Sequence, residues 1–426
     1  MKSTYGTGIA CFLVVTICAC LANAFAADEK PAEKSKPAEK SKPAAKSKPA
    51  AKAKPKAAAE EKPNSKEKSK TEKPSTEQDA TDDNAEWKHL TARKDVIAKQ
   101  LQKLQKEFTE AVKDRQKEIR DEFQTLITEY QSEIVPRLDE LAADIYKKDK
   151  KNFVAGEMVL ATAFAKNDYD GAAKTASDLL AANHKSAAVL NTGGAALFAT
   201  HNFTKAKELL EEADKNGELD PRSGGRYLAD VGEYIELWKQ EQAIRAKEAA
   251  AKGDEQNPRV LFKTNKGDML LELYENEAPN TVANFVSLVE GKKYDGTKFH
   301  RVITNFMVQG GDPNSLDDNP ANDGLGGPDY TIDCECYEEN ARKHFRGTLS
   351  MAHAGKNSGG SQFFITHLPT PHLNPNADTE TGHTVFGRVI EGLDVIGKIE
   401  KDDVIKSATV KRKRKHEYKP KTNVEK

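Results

Sequence analysis

The sequence predicts a multidomain chain that ends in a closed antiparallel β-barrel with a few helices, preceded by an all-α helical module and a disordered linker. Three observations carry this expectation. A Lys/Pro/Ala-rich hexapeptide repeats near the N-terminus. Apolar residues at helical spacing and then a self-similar stretch fill the middle. From about residue 257, short β-type runs alternate with Gly, Asn and Asp. A chain of 426 residues has room for two or three domains, and 31% charged residues imply a strongly solvated portion. The net charge of −1 conceals segments of quite different character.

Residues 1–26 read as a secretory signal: Lys2, an apolar run from Ile9 to Leu21, then Ala24-Phe25-Ala26 as an A-x-A cleavage site. That run is short for a membrane span, and no other apolar stretch approaches the necessary length. The expected location is therefore outside the cytoplasm, periplasmic or extracellular, without a transmembrane span. A lipid-anchored form through Cys20 fits less well, because Cys18 stands two positions before the acceptor. The cysteines outside this segment are Cys334 and Cys336. A C-x-C pair lacks two ligands of a structural zinc site and makes poor disulfide geometry, so both are expected as small buried or loop thiols, with a redox or metal role as the alternative.

Residues 27–84 form the linker. KPAEKS, KPAEKS, KPAAKS and KPAAKA place prolines at 31, 37, 43, 49 and 55. Proline at this spacing blocks regular helix, and almost nothing larger than alanine is available to bury. Binding of its lysines to an anionic polymer or membrane surface is the functional alternative to a solvated tether.

The helical module spans 85–252. From Trp87 onward, Leu90, Ile97, Leu101, Leu104, Phe108, Val112, Ile119, Phe123, Leu126, Tyr130 and Ile134 recur at mostly three- and four-residue steps until Pro136 interrupts. This spacing predicts one long amphipathic helix, able to pair within the chain or as a coiled coil with a second one. Beyond it, NDYDGAAKTASDLL and HNFTKAKELLEEA align so that Tyr169 and Phe203, like Ala172 and Ala206, sit 34 residues apart. Leu190, Gly193 or Gly194, Ala196 and Phe198 supply the small and aromatic positions of a preceding helix. The pattern resembles tetratricopeptide repeats, helix pairs of that period stacked through small residues. It covers about one and a half repeats and lacks the usual proline. Such a module implies a protein partner or a spacer.

The barrel is expected over 257–418, with 419–426 as a tail. RVLFKTNKGDMLLELY reads as a hairpin turning at Asn265 to Asp268, and PNTVANFVSLVEG as a helix opening at Pro279 and closing at Gly291. In FHRVITNFMVQGGD, strand alternation would put Phe299, Arg301 and Ile303 on one face with His300 and Val302 on the other, and Met307 with Gln309 opposite Val308. An arginine facing Met and Gln is not there for packing alone.

With this stretch, GTLSMAHAGKNSGGSQFFITH and PHLNPNADTETGHTVFGRVIEG follow in order. Together they resemble the cyclophilin family of peptidyl-prolyl isomerases, from about Arg259 to Tyr418. The resemblance implies a cyclophilin-like barrel and a catalytic role for Arg301. It implies that Phe306, Met307, Phe364 and Leu373 form a proline-ring pocket with His383 at its rim. Gln309 would orient the arginine and the substrate backbone, while Ala352, His353 and Gln362 would flank the residues preceding the proline. His372 stands where many members carry the tryptophan that contacts cyclosporin, His353 where asparagine is common, and the stretches 315–328 and 374–381 are further departures.

The residue types suit the chemistry. Amide rotation must break resonance, with a barrier of about 18–20 kcal/mol, and X-Pro bonds exchange over tens of seconds or longer. A fixed cation aimed at the twisted amide stabilises it more than the planar form, and arginine offers several donors in one plane. The scheme calls for no nucleophile, metal or cofactor. The expected function is peptidyl-prolyl cis-trans isomerisation, acting on proline-containing peptides and folding proteins outside the cytoplasm. A non-catalytic scaffold that holds proline-containing segments and recruits partners through the helical module is the alternative, although a pure binder has no need of Arg301. The basic run VKRKRKHEYKPKT reads as a last strand with exposed lysines and arginines rather than a nucleic-acid site.

Overall fold

A computed structural model describes residues 77–376 and 378–424. The signal read at 1–26, its Cys20 alternative and the linker up to residue 76 lie outside the described residues. Among the described residues no helix is long and apolar enough to cross a membrane. Two compact units divide at Leu138 and Asp139.

In the first unit, the single long helix expected from Trp87 to Pro136 is in fact a hairpin. Helix α1 (Glu77–Glu110) begins inside the stretch read as linker, and α2 (Lys113–Glu129) follows after Val112 turns extended, with ψ of 160°. No Gly or Pro marks this break; cross-helix partners select it. Arg93 grips both oxygens of Glu129 at 2.6 and 2.5 Å, and Arg137 both oxygens of Glu86 at 2.8 and 2.7 Å. Arg115 ties the turn to Glu107 at 2.9 Å. Ile97, Leu101, Ile119 and Phe123 are buried within the unit. Pro136 does not end the helix either. A π-turn over Tyr130–Ile134 lets the Val135 N–H reach Tyr130 O, resetting the ladder just before a nitrogen that has no hydrogen to donate, and α3 (Val135–Lys148) runs on.

The second unit holds the repeat helices and the barrel together. Helices α4 (Phe153–Ala165) and α5 (Tyr169–Ala181) are capped by Asn152 and Asp168, whose side chains accept from Ala155 N and Gly171 N. A π-turn (Val189–Gly193) opens α6 (Gly194–Ala199), which precedes α7 (Phe203–Lys215) and α8 (Arg226–Ala250). The 34-residue correspondence has a packing basis: Tyr169, Phe203, Ala172 and Ala206 are all buried. The helices cross closely where the small residues were found. A Cβ on Gly193 would lie 2.9 Å from that of Ala176, and one on Gly194 would lie 2.8 Å from Leu210.

The barrel is built from β1 (Arg259–Thr264), β2 (Asp268–Leu273), β3 (Arg301–Ile303), β4 (Met307–Gly310), β5 (Tyr330–Thr331), β6 (Thr348–Met351), β7 (Phe363–Thr366), β8 (Val385–Glu391), β9 (Ile405–Arg412) and β10 (Asn423–Val424). Eight of these form a curled antiparallel sheet in the order β3-β4-β7-β6-β8-β2-β1-β9. Closure is partial. The edge strands β3 and β9 do not pair along their length; the segments before them meet at one bridge, Lys298 with Val404, flanked by Phe299 N to Asp403 O at 2.8 Å. Helices α9 (Pro279–Glu290) and α10 (Leu393–Ile396) pack on the sheet, whose core includes Phe262, Phe285, Phe363 and Phe386. Burying each such ring contributes roughly 1.5–3 kcal/mol. The supposed tail at 419–426 supplies β10, which pairs with β5.

Repeat helices and barrel share an interface. Phe345 of the barrel packs against Trp238, Tyr234 and His201 at ring separations of 5.1, 5.5 and 5.8 Å. Arg342, with 1% of its side chain exposed, lies over the Tyr274 ring and bonds Glu241 at 2.9 and 2.7 Å and Glu248 at 2.7 Å.

Candidate active site

The strand register assembles the site. Arg301 of β3 faces Gln309 of β4, and Gln309 faces Phe364 of β7. Directly opposed residues share a face of a pleated sheet, so side chains distant in sequence converge. Arg301 Nη1 donates to Gln309 Oε1 at 3.2 Å, and Gln309 Nε2 donates to Gln362 Oε1 at 3.0 Å. Gln362 Nε2 in turn donates to Gly324 O at 2.9 Å and Gly326 O at 2.8 Å. The alternation expected from Phe299 begins only at Arg301. Phe299 is fully buried in the core before the strand starts, whereas Arg301 is exposed at its head. Val308 points to the core opposite Met307 and Gln309, as the alternation of β4 requires.

The turn after β4 needs its glycine. Gly311 has φ of +81°, and a Cβ there would lie 2.6 Å from Ser361 O. Asp312 follows, fully buried, and accepts from Asn314 N at 2.8 Å and from Gly324 N. The acidic, Gly-rich stretch 315–328 is thereby folded against Gln362 and offers it two carbonyls. A backbone acceptor has no residue identity, so the sequence carried no sign of this role.

Arg301, Phe306, Met307, Gln309, Ala352, His353, Gln362, Phe364, Leu373 and His383 all line one open cleft of about 680 Å³. Every residue singled out from the sequence is brought together there. Leu325, Tyr330 and His372 join them without having been singled out as pocket residues. Met307 and Phe364 form a dry floor, 1% and 4% exposed, while Phe306 and Leu373 are half-buried walls. The Phe306 ring sits 5.2 Å from His372.

Three imidazoles border the floor. His383 Nδ1 lies 2.9 Å from Met351 O, and because a carbonyl only accepts, Nδ1 carries the hydrogen. Burial, then the His353 ring stacked at 4.2 Å, pulls the His383 pKa down to about 4, so it is neutral at pH 7. His353 Nε2 donates to Gly382 O at 2.8 Å. Behind Phe364, the His344 ring is stacked at 5.8 Å and held by Ser350 Oγ and Asn374 Oδ1. Burial pulls its pKa down to about 3 against the Asn374 hydrogen bond, with the nearby His383 and His372 adding to the fall. His383 and His344 are therefore neutral at pH 7 beside the apolar floor, and the guanidinium of Arg301 stands at its lip. The arrangement can hold a compact apolar ring against Met307 and Phe364 while presenting fixed donors to an adjoining amide.

The sequence pattern of the family described as cyclophilin type peptidyl-prolyl cis-trans isomerase/CLD matches residues 259–424. A peptidyl-prolyl cis-trans isomerase of Helicobacter pylori is 46% identical over 150 residues, 35% of this chain and 83% of its own length. One from Synechococcus elongatus is 46% identical over 153 residues, 35% of this chain and 94% of its own. Peptidyl-prolyl cis-trans isomerase B of Bacillus subtilis is 50% identical over 139 residues, 33% and 87% of the two chains. The matched residues contain both the curled sheet and the cleft built on it, and the chain belongs to the cyclophilin-type peptidyl-prolyl cis-trans isomerase family.

Proposed function

We propose that the Arg301 cleft accelerates rotation about X-Pro bonds of proteins folding or assembling outside the cytoplasm. The observation that carries this reading is the bonded series Arg301, Gln309, Gln362 running beside an apolar floor. Phe306, Met307, Phe364 and Leu373 grip the pyrrolidine ring, with His383 at the rim as a neutral wall. Arg301 donates to the amide as it twists and its nitrogen gains a lone pair. Gln309 aims the guanidinium and meets the substrate backbone, while Ala352, His353 and Gln362 flank the residues before the proline. The dry floor fixes the ring while the preceding carbonyl turns, so binding energy is directed at the twisted form.

Arg301→Ala tests the assignment. Turnover should fall by roughly 10²- to 10³-fold, as when a comparable donor is removed elsewhere, with peptide affinity changed only a few-fold. Equal loss of affinity and turnover contradicts transition-state stabilisation by Arg301. The extracytoplasmic role draws its support from the n-region, apolar run and A-x-A site of residues 1–26. The mature protein should begin at Ala27 when its N-terminus is sequenced; a chain retaining Met1 contradicts export by cleavage.

A further inference from the structure

We propose that the repeat helices complete the ring pocket from outside the barrel, with Asn167, Tyr169 and Tyr234 acting as positioning residues for the loops that carry Phe306 and Leu373. This inference rests on the reading of that pocket as a proline-ring site.

Phe306 lies in the tight β3–β4 turn, directly after Asn305, which holds a left-handed φ of +56°. The repeat helices meet Asn305 at two polar atoms. Its N–H donates to Asn167 Oδ1 at 2.9 Å, and its Oδ1 lies 2.9 Å from the Tyr169 hydroxyl, which is also 3.0 Å from Asn167 Oδ1. Leu373 is followed by Asn374, whose Nδ2 donates to the Tyr234 hydroxyl at 3.1 Å. That hydroxyl donates to His344 O at 3.0 Å, while Asn374 Oδ1 accepts from His344 N at 2.9 Å. Tyr169 and Tyr234 are 1% and 0% exposed, so water does not readily replace either contact.

The same helices are fastened close by. Arg346 grips both oxygens of Asp170 at 3.0 and 2.9 Å, and its N–H donates to His201 Nε2 at 3.1 Å. By contrast, the polar series from Arg301 through Gln309 and Gln362 ends on Gly324 and Gly326 and runs within the barrel. The two walls of the ring pocket thus lean on the helices, and the donor series does not. Loosening the helical contacts should weaken capture of the ring without disabling the donor.

The test uses the mature full-length chain with Tyr169→Phe, Tyr234→Phe and the two combined, each change removing a hydroxyl and keeping the ring. For an X-Pro peptide, the double variant should show KM raised roughly 3- to 10-fold with kcat within about twofold of wild type. Aromatic and methyl NMR signals of Phe306 and Leu373 should shift, with the folded fraction by circular dichroism unchanged. Should the double variant fold poorly, Tyr169→Phe alone carries the same expectation for KM and for Phe306. Wild-type KM in a folded variant overturns the inference, as does a fall in kcat at constant KM. An inactive wild type, or an Arg301→Ala variant as active as wild type, would instead overturn the function on which it rests.

Discussion

Arg301 is exposed yet directed, because Gln309 holds one of its nitrogens and is itself held through Gln362 by two backbone carbonyls. Gln309→Leu cuts that series while leaving the apolar floor, and turnover should fall roughly 10- to 100-fold from lost orientation of Arg301, beyond a few-fold loss of peptide affinity from the substrate contact proposed for Gln309. The pH profile follows from the same residues. Burial holds the His383 pKa down to about 4 and arginine is a permanent cation, so neither should put a step in kcat/KM between about pH 6 and about pH 9. A step near pH 6.5 would mean that a charged imidazole takes part. The side chains that line this cleft were picked out by the family resemblance carried by FHRVITNFMVQGGD, GSQFFI and HTVFG, and the strand register brings them to one face. The Gly324 and Gly326 carbonyls were not, since any residue can supply a carbonyl.

Among the elements, strands and their turns followed local chemistry, and longer helices did not. The hairpin at Asn265 to Asp268 and the helix opened by Pro279 and closed by Gly291 stand where turn and cap residues put them. The break at Val112 has no such residue; the hairpin it makes buries Ile97 and Leu101 of one helix and Ile119 and Phe123 of the next, and Arg93 and Arg137 meet carboxylates 36 and 51 positions away. Arg342 is another contact that spacing conceals, its partners Glu241 and Glu248 being 101 and 94 positions distant. Burial opposes ionisation of Glu241, but the Arg342 hydrogen bond and the charges of Arg342 and Arg245 prevail and hold its carboxyl below the usual range. Removing the guanidinium leaves buried carboxylates without their main countercharge, so Arg342→Ala should destabilise the protein by about 3–5 kcal/mol. Urea unfolding with a midpoint equal to wild type would contradict this.

At the scale of the whole second unit, repeat helices and barrel pack as one body, which the sequence presented as two modules in series. Tyr169, Tyr234, Asn305 and Asn374 are ordinary residues in linear order, and their pairing exists only once both folds have formed. The unit also buries imidazoles: burial first lowers His344 to about 3 and His367 to about 4. The unfolded chain binds these protons below about pH 6.5 and the folded chain resists them. Their contribution is therefore complete above about pH 6.5 and is lost as the pH falls toward about 3, which urea midpoints at successive pH values will register as a decline. Exchange NMR on a short X-Pro peptide with catalytic amounts of the mature chain decides whether the cleft turns X-Pro bonds over or merely holds them. Cis–trans exchange should run at a rate proportional to protein concentration and be suppressed by a competing proline peptide. Binding shifts at Phe364 and Leu373 with no gain in exchange would contradict it and leave a scaffold.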